Sequence, residues 1–206
     1  MAAQEIITSR EGIDLVKLAR TSVESFIKNK KIINSNKNSN KKAGIFVTIY
    51  HVNKMNSSVK NLRGCIGYVF PSHNIYDSVI AAAINAATGD PRFIAISEKE
   101  LDEVIFEVSV LTKPSIIQVE NSDLSLNKIV IGRDGLILES RYGTGLFLPQ
   151  VPVEQKWSIR EYLTNLCYKA GAPPDAWLLA DSKLYTFCSL IFKEKLPNRE
   201  IYLDKA

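Results

Sequence analysis

Histidine is nearly absent from this chain: His51 and His73 are the two imidazoles in 206 residues. No His/Cys/carboxylate cluster at zinc spacing and no His-x-x-x-His pair can be drawn from it, so the common metal motifs are excluded and no cofactor is expected. A Cys-His nucleophilic dyad also has little to build on. Cysteine is scarce as well. Cys65, Cys167 and Cys188 form an odd, widely spaced set without a Cys-x-x-Cys pair, which excludes a disulfide framework and points to a reducing, cytoplasmic setting. No apolar run approaches the roughly 20 residues that span a bilayer, so no membrane partner is expected. Met1 to Glu5 lacks the basic-then-apolar pattern of a signal peptide. Gly143-Thr144-Gly145 is not followed by the lysine of a phosphate loop.

What is present is ordinary in bulk and uneven in detail. Hydrophobic content of 46% and charged content of 23% suit a globular chain of one sizeable domain or two small lobes. The net charge is +4, yet six lysines (Lys28, Lys30, Lys31, Lys37, Lys41 and Lys42) fall within residues 28–42. Without that stretch the chain would be acidic. The stretch is rich in Asn and Ser and reads as a solvated loop, which makes nucleic acid an unlikely partner.

Element signals mix helices and hairpins. Thr8 with Glu11 fits a capping box before apolar residues at helical spacing. Gly44 to Val52 reads as a buried strand, and the polar break at 53–61 as a hairpin returning through Leu62 to Val69. A second helix is predicted from Ile75 to Thr88, carrying Ala81-Ala82-Ala83 and closed by Gly89. Ser97 with Glu100 caps a short helix, and Val104 to Thr112 is a strand. Asn121 or Asp123 starts a brief helical turn. Gly132-Arg133-Asp134-Gly135 is predicted to join Lys128–Ile131 to Leu136–Ser140 as a hairpin, and Gly143-Thr144-Gly145 to form a further turn. Ser158 with Glu161 opens a helix running to Gly171, Trp157 reads as core, and Lys183 to Phe192 reads as one apolar strand. The absence of a βαβ rhythm favours an α+β fold, a mainly antiparallel sheet flanked by helices. The expected organisation is a single domain over residues 5–195. A larger lobe would hold both termini, and a smaller turn-rich lobe would span about 114–152.

One segment concentrates chemistry. Leu62-Arg63-Gly64-Cys65-Ile66-Gly67 sets a cation, a thiol and two glycines in a strand-like run. If extended, it places Leu62, Gly64 and Ile66 on one face and Arg63, Cys65 and Gly67 on the other. Arg63 and Cys65 would leave the backbone roughly 6.6 Å apart, close enough for the guanidinium to favour a reactive thiolate. Cysteine is as readily a small buried hydrophobe. Glu107 and Ser109 share a strand face with Ile105 and Leu111, and a buried Glu107 would need Arg63 or Arg92 as its cation. Asp90 and Arg92 bracket Pro91 in a loop, and Asn85 interrupts a helix of small apolar residues.

These residues also carry a family resemblance. The motif at 62–67 resembles the signature of the AMMECR domain family, whose human member takes its name from the Alport-syndrome contiguous deletion region. Asn85-Ala86-Ala87, Gly89 to Phe93, Phe106 to Leu111, Gly132 to Leu136, Phe147 to Val151 and Lys169 to Gly171 extend the match across about 44–192. The resemblance implies a compact α+β protein with a larger and a smaller lobe, and a cleft beside the motif as candidate site. It also implies neighbours similar to a Memo-like domain and a radical S-adenosylmethionine domain. It implies no particular reaction.

Two readings of function stand side by side. In the first, a small anionic or nucleotide-like ligand binds by Arg63, Gly64, Gly67, Asn85, Asp90, Arg92 and Glu107, with Cys65 as the reacting thiol. In the second, the chain is a non-catalytic adaptor for an enzyme partner, and the motif is an architectural strand.

Overall fold

The computed structural model describes residues 7–35, 40–52, 60–70, 73–118 and 127–204. The helices are α1 (Ser9–Asn29), α2 (Ile75–Thr88), α3 (Gln150–Glu154) and α4 (Ile159–Lys169). The strands run β1 (Gly44–Val52), β2 (Lys60–Tyr68), β3 (Val104–Leu111), β4 (Ser115–Ile117), β5 (Gly135–Ser140), β6 (Gly143–Phe147), β7 (Lys183–Phe187), β8 (Ser189–Glu194) and β9 (Ile201–Asp204). The chain divides into two units, one formed by Met1–Leu111 with Leu190–Lys205 and the other by Thr112–Ser189. The expected α+β architecture is present, with its strands shared between two antiparallel sheets of five and four strands.

In the first unit the sheet order is β2-β1-β3-β8-β9. Helix α1 begins at the expected capping box, where Glu11 N–H donates to Thr8 Oγ1 at 3.2 Å and Thr8 N–H donates to Glu11 at 2.7 Å. Helix α2 is capped by Asn74, whose side chain accepts from the Tyr76 and Asp77 amides. Its buried Ala82, Ala83, Ala86 and Ala87 bring the helix close to the strands, and they share one core with Ile45, Val47, Ile49, Phe106, Val108 and Val110. Within that core lies an ion pair. Arg20 donates from Nε and from Nη2 to Glu194 at 2.6 Å each, and its guanidinium stacks 4.7 Å from the Phe106 ring centroid. The second Glu194 oxygen also accepts the Phe106 amide at 3.0 Å, so the buried charges are paired and solvated by protein groups.

In the second unit the order is β4-β7-β5-β6. Helix α4 starts at the Ser158/Glu161 capping box and buries Tyr162, Leu163, Leu166 and Cys167 against Leu136, Leu138 and Leu184. Trp157 packs at the edge of this core, 5.3 Å from Phe147 in an edge-on arrangement. The Tyr162 hydroxyl donates to the Asp134 and Phe147 carbonyls at 3.2 and 3.3 Å.

Three element expectations need correction. The Asp134-Gly135 step is not a hairpin tip, because the buried Asp134 side chain accepts the Val130 amide at 2.8 Å and folds 130–134 into a closed turn. The hairpin lies one strand later, between β5 and β6, where Ser140 pairs with Gly143. Gly143-Thr144-Gly145 is therefore strand, not turn. The apolar run 183–192 is two strands in different sheets, broken at Cys188, whose amide donates to Thr112 Oγ1 at 2.8 Å. The hairpin connection expected at 53–61 lies largely, and the turn expected at 121 or 123 wholly, outside the described residues.

Candidate functional site

Strand β2 carries the motif and forms one edge of the five-stranded sheet. Its register against β1 pairs Thr48 with Cys65 and Ile49 with Gly64, then steps to Tyr50 with Leu62. Arg63 is thus the extra residue of a β-bulge, which breaks the strict alternation. Gly64 and Ile66 face the helices, whereas Leu62, Cys65 and Gly67 share the opposite face. The expectation that Arg63 stands beside Cys65 on one face fails for this reason.

Arg63 turns toward the segment before β3 instead. It donates to Glu100 at 2.8 Å and to the Ile94 carbonyl at 2.7 Å. Burial raises the Glu100 carboxyl, but the Arg63 hydrogen bond and the Ser97 capping bonds outweigh it and bring the pKa down to about 2. Arg63 is a clamp on a loop.

The loop after α2 grips the outer edge of the same strand. Asp90 is buried, and its carboxylate accepts the Cys65 amide at 2.9 Å and two donors of the Arg92 guanidinium at 2.7 and 2.9 Å. Arg92 also reaches the Cys65 carbonyl at 3.4 Å. The Arg92 hydrogen bond, working against burial, holds the Asp90 carboxyl far below the usual carboxylate range. An edge strand presents unpaired backbone groups, and here a side-chain pair satisfies the amide and the carbonyl of Cys65.

The glycines serve close packing. A Cβ at Gly64 would lie 2.0 Å from the Ala86 carbonyl oxygen of α2, and one at Gly67 would lie 2.4 Å from the Phe46 ring. Asn85 donates to the Tyr68 hydroxyl at 3.1 Å, tying α2 to the end of β2. Asn85 also lines a cavity of about 380 Å³ with Ile32, Ile33, Ile80 and Ile84. Residues 62–67 line neither this cavity nor a second of about 330 Å³ beside α1.

The sheet face away from the helices is where polar side chains gather. Register places Cys65, Thr48 and Glu107 in one row across β2, β1 and β3, with Phe46 and Ser109 in the next row. Thr48 and Glu107 are buried, and Ser109 is 1% exposed. The Cys65 thiol and the Thr48 hydroxyl are 3.3 Å apart. Ser109 Oγ has no hydrogen-bond partner among the described residues. Burial pushes the Cys65 thiol up; Thr48 and Arg92 pull the other way without reversing it, and Glu107 and Asp90 add to the rise. The balance of these effects favours the thiol over the thiolate.

Two lysines look onto this face. Lys60 pairs with Val52 at the start of β2, on the side shared with Tyr50 and Thr48. Lys193 points away from its neighbour Glu194, which enters the helix-side core, and forms an ion pair with Asp204. Glu107 acts electrostatically on Lys60, Lys193 and Cys65 alike. The described cations around Glu107 are therefore Lys60 and Lys193, in place of Arg63 and Arg92. Neither lysine carries a motif signal. Alternation from Glu107 to Thr48 and Cys65 could have linked the row once strand pairing was known.

His51 meets Glu103 at 3.2 Å. Among the described residues no group of three His, Cys, Asp or Glu side chains could hold a metal ion, and no helix is long and apolar enough to cross a membrane.

The chain matches the model of the AMMECR1 family over residues 16–192. It is 43% identical over 202 residues to Protein MJ0810 of Methanocaldococcus jannaschii, a match covering 97% of this chain and 98% of that protein. Against Protein TK0174 of Thermococcus kodakarensis the identity is 43% over 190 residues, covering 90% and 91%. The crystal structure of the uncharacterized protein PH0010 from Pyrococcus horikoshii is similar with a TM-score of 0.89 at 41% identity, covering 97% of this chain and 99% of that one. The chain belongs to the AMMECR1 family, as the motifs around residues 62–67 imply.

Proposed function

We propose that the helix-distant face of the five-stranded sheet binds a small anionic or nucleotide-like ligand over the row Cys65, Thr48 and Glu107. The observation that carries this reading is Ser109, a hydroxyl 1% exposed and without a hydrogen-bond partner among the described residues. An unsatisfied buried hydroxyl costs about 1–3 kcal/mol, and a ligand atom accepting or donating there would remove the cost. Cys65 contributes a protonated thiol, able to donate a hydrogen bond or pass a proton through Thr48. Thiolate chemistry needs a base brought by the ligand or by Glu107. Arg63 and Asp90 with Arg92 act as positioning residues that hold the Cys65 strand. The test is an amide-shift titration of isotope-labelled protein with a panel of small carboxylates, phosphates and nucleotides. The reading expects shifts at Ser109, Thr48 and Cys65 that weaken in Ser109→Ala and Glu107→Gln. A panel that moves none of these amides argues against it.

A second reading keeps the chain as an adaptor, and Ile94 favours it. This residue is 84% exposed while its carbonyl is clamped by Arg63, and Phe70 near the end of β2 is 54% exposed. A rigidly held apolar tip suits a protein partner such as a Memo-like or radical S-adenosylmethionine protein. Ile94→Asp would abolish such binding and leave the sheet-face ligand unaffected.

A further inference from the structure

Helix α2 turns Val79, Ala82, Ala83 and Ala86 into the core it shares with the five-stranded sheet. Asp77, Ile80, Ile84 and Asn85 follow at helical spacing on its opposite side. Ile80 and Ile84 are buried there nonetheless. Together with Ile32 and Ile33, from the segment after α1, they line a cavity of about 380 Å³. That volume falls within the roughly 300–1,000 Å³ of small-molecule sites. The segment that forms its outer wall is pinned twice. Ser25 Oγ donates to the Lys31 carbonyl at 2.9 Å, and Ser35 Oγ donates to Asp77 at 3.1 Å.

The two ends of the cavity differ in charge. Asp77 and Asn85 lie about two turns apart on α2, about 12 Å along its axis. Asn85 is neutral and tied to the Tyr68 hydroxyl. Asp77 is exposed, and its carboxylate accepts from two neutral side chains, Ser35 and Asn74. Among the described residues it is the one ionised group of the lining. The helix N-terminus leaves no amide for an anion. Ile75 N–H donates to the Lys41 carbonyl, Tyr76 and Asp77 N–H donate to the Asn74 side chain, and Ser78 N–H donates to the Asn74 carbonyl. An aliphatic trough ending in a carboxylate is complementary to a cation on a hydrocarbon stem.

We infer that this cavity binds a small aliphatic amine, its chain lying between Ile32, Ile33, Ile80 and Ile84 and its ammonium on Asp77. Burial of the chain drives binding, and the ion pair fixes its direction. The site is separate from the sheet face and stands or falls without it.

The experiment titrates the isotope-labelled full chain at neutral pH with hexylamine, hexanol and hexanoate. Hexylamine is expected to move the amides of Ile33, Ile80 and Ile84 while those of Ser109 and Thr48 stay still. It should bind more tightly than hexanol, with hexanoate weakest. Asp77→Asn keeps the shape and an acceptor for Ser35. It should weaken hexylamine about fivefold, as the loss of one partly exposed ion pair implies, and leave hexanol unchanged. Ala81→Leu narrows the same cavity from an exposed helix position and should weaken both. Asp14→Asn, on the lining of the cavity beside α1, should change neither. Hexanoate as tight as hexylamine, or equal hexylamine affinity in Asp77→Asn, refutes the ammonium site. A loss in Asp14→Asn instead places the amine in the other cavity and overturns the assignment. Isoleucine amides that hexylamine leaves unmoved overturn it as well.

Discussion

Asp90 accepts the backbone amide of Cys65 at 2.9 Å, so the thiol-bearing residue of the motif rests on a strand whose free edge is held by a buried carboxylate. Arg92 completes the grip by binding that carboxylate and the Cys65 carbonyl. Asp90→Ala removes a charged hydrogen bond and frees the strand edge. The expected cost is about 2–3 kcal/mol of stability, with faster hydrogen exchange at the Cys65 amide than at its neighbours in β1. Equal exchange in the variant would show that the edge does not depend on Asp90.

The Arg63 clamp makes stability fall in acid. The Glu100 pKa is depressed from its ordinary 4.5 to about 2, so the unfolded chain takes up the proton first as pH drops. Its contribution is fully present above about pH 4.5 and is lost as pH falls toward about 2. Asp90, also depressed, loses its contribution in the same direction. Urea unfolding followed across this window should show a steep decline, and Arg63→Met should flatten part of it. A parallel decline in the variant would separate Glu100 from Arg63.

Gly64 is the residue that lets α2 lie against the motif strand. A methyl there would meet the Ala86 carbonyl at 2.0 Å, a backbone atom that cannot swing aside. Gly64→Ala should cost about 3 kcal/mol, at the upper end of overpacking penalties. Chemical unfolding measures it directly. A cost below about 0.5 kcal/mol would place it among ordinary surface changes.

The Cys65 thiol should alkylate slowly at neutral pH. In a Cys167→Ser/Cys188→Ser background its reactivity should rise only above the free-thiol value of about 8.5, and Arg63→Ala should leave the profile in place. A titration well below that value, shifted upward by Arg63→Ala, would restore the activated-thiolate reading.

Local signals carried much of the architecture. The Thr8/Glu11, Ser97/Glu100 and Ser158/Glu161 capping boxes are all present, because a cap is decided within four residues. The motif strand and the alanine helix were legible for similar reasons. What failed depended on partners far along the chain. The bulge at Arg63 is a property of the β1 register, so alternation alone placed Arg63 beside Cys65. Asp134-Gly135 has hairpin chemistry, yet the Val130 amide claims the Asp134 side chain first. The Arg20–Glu194 pair spans 174 positions and left no sequence signal. Lys60 and Lys193 lie in no motif, and only the strand pairing shows that they share a sheet face with Glu107.

The most direct measurement is the unfolding stability of Ser109→Ala beside the wild-type protein without ligand. Ser109 Oγ is buried without a hydrogen-bond partner among the described residues, so deleting it should leave stability unchanged or raise it by about 1 kcal/mol. The same variant should lose ligand-induced stabilisation. A loss of about 1 kcal/mol or more in the ligand-free variant would mean the hydroxyl serves the fold, and the claim that this face awaits a ligand would be contradicted.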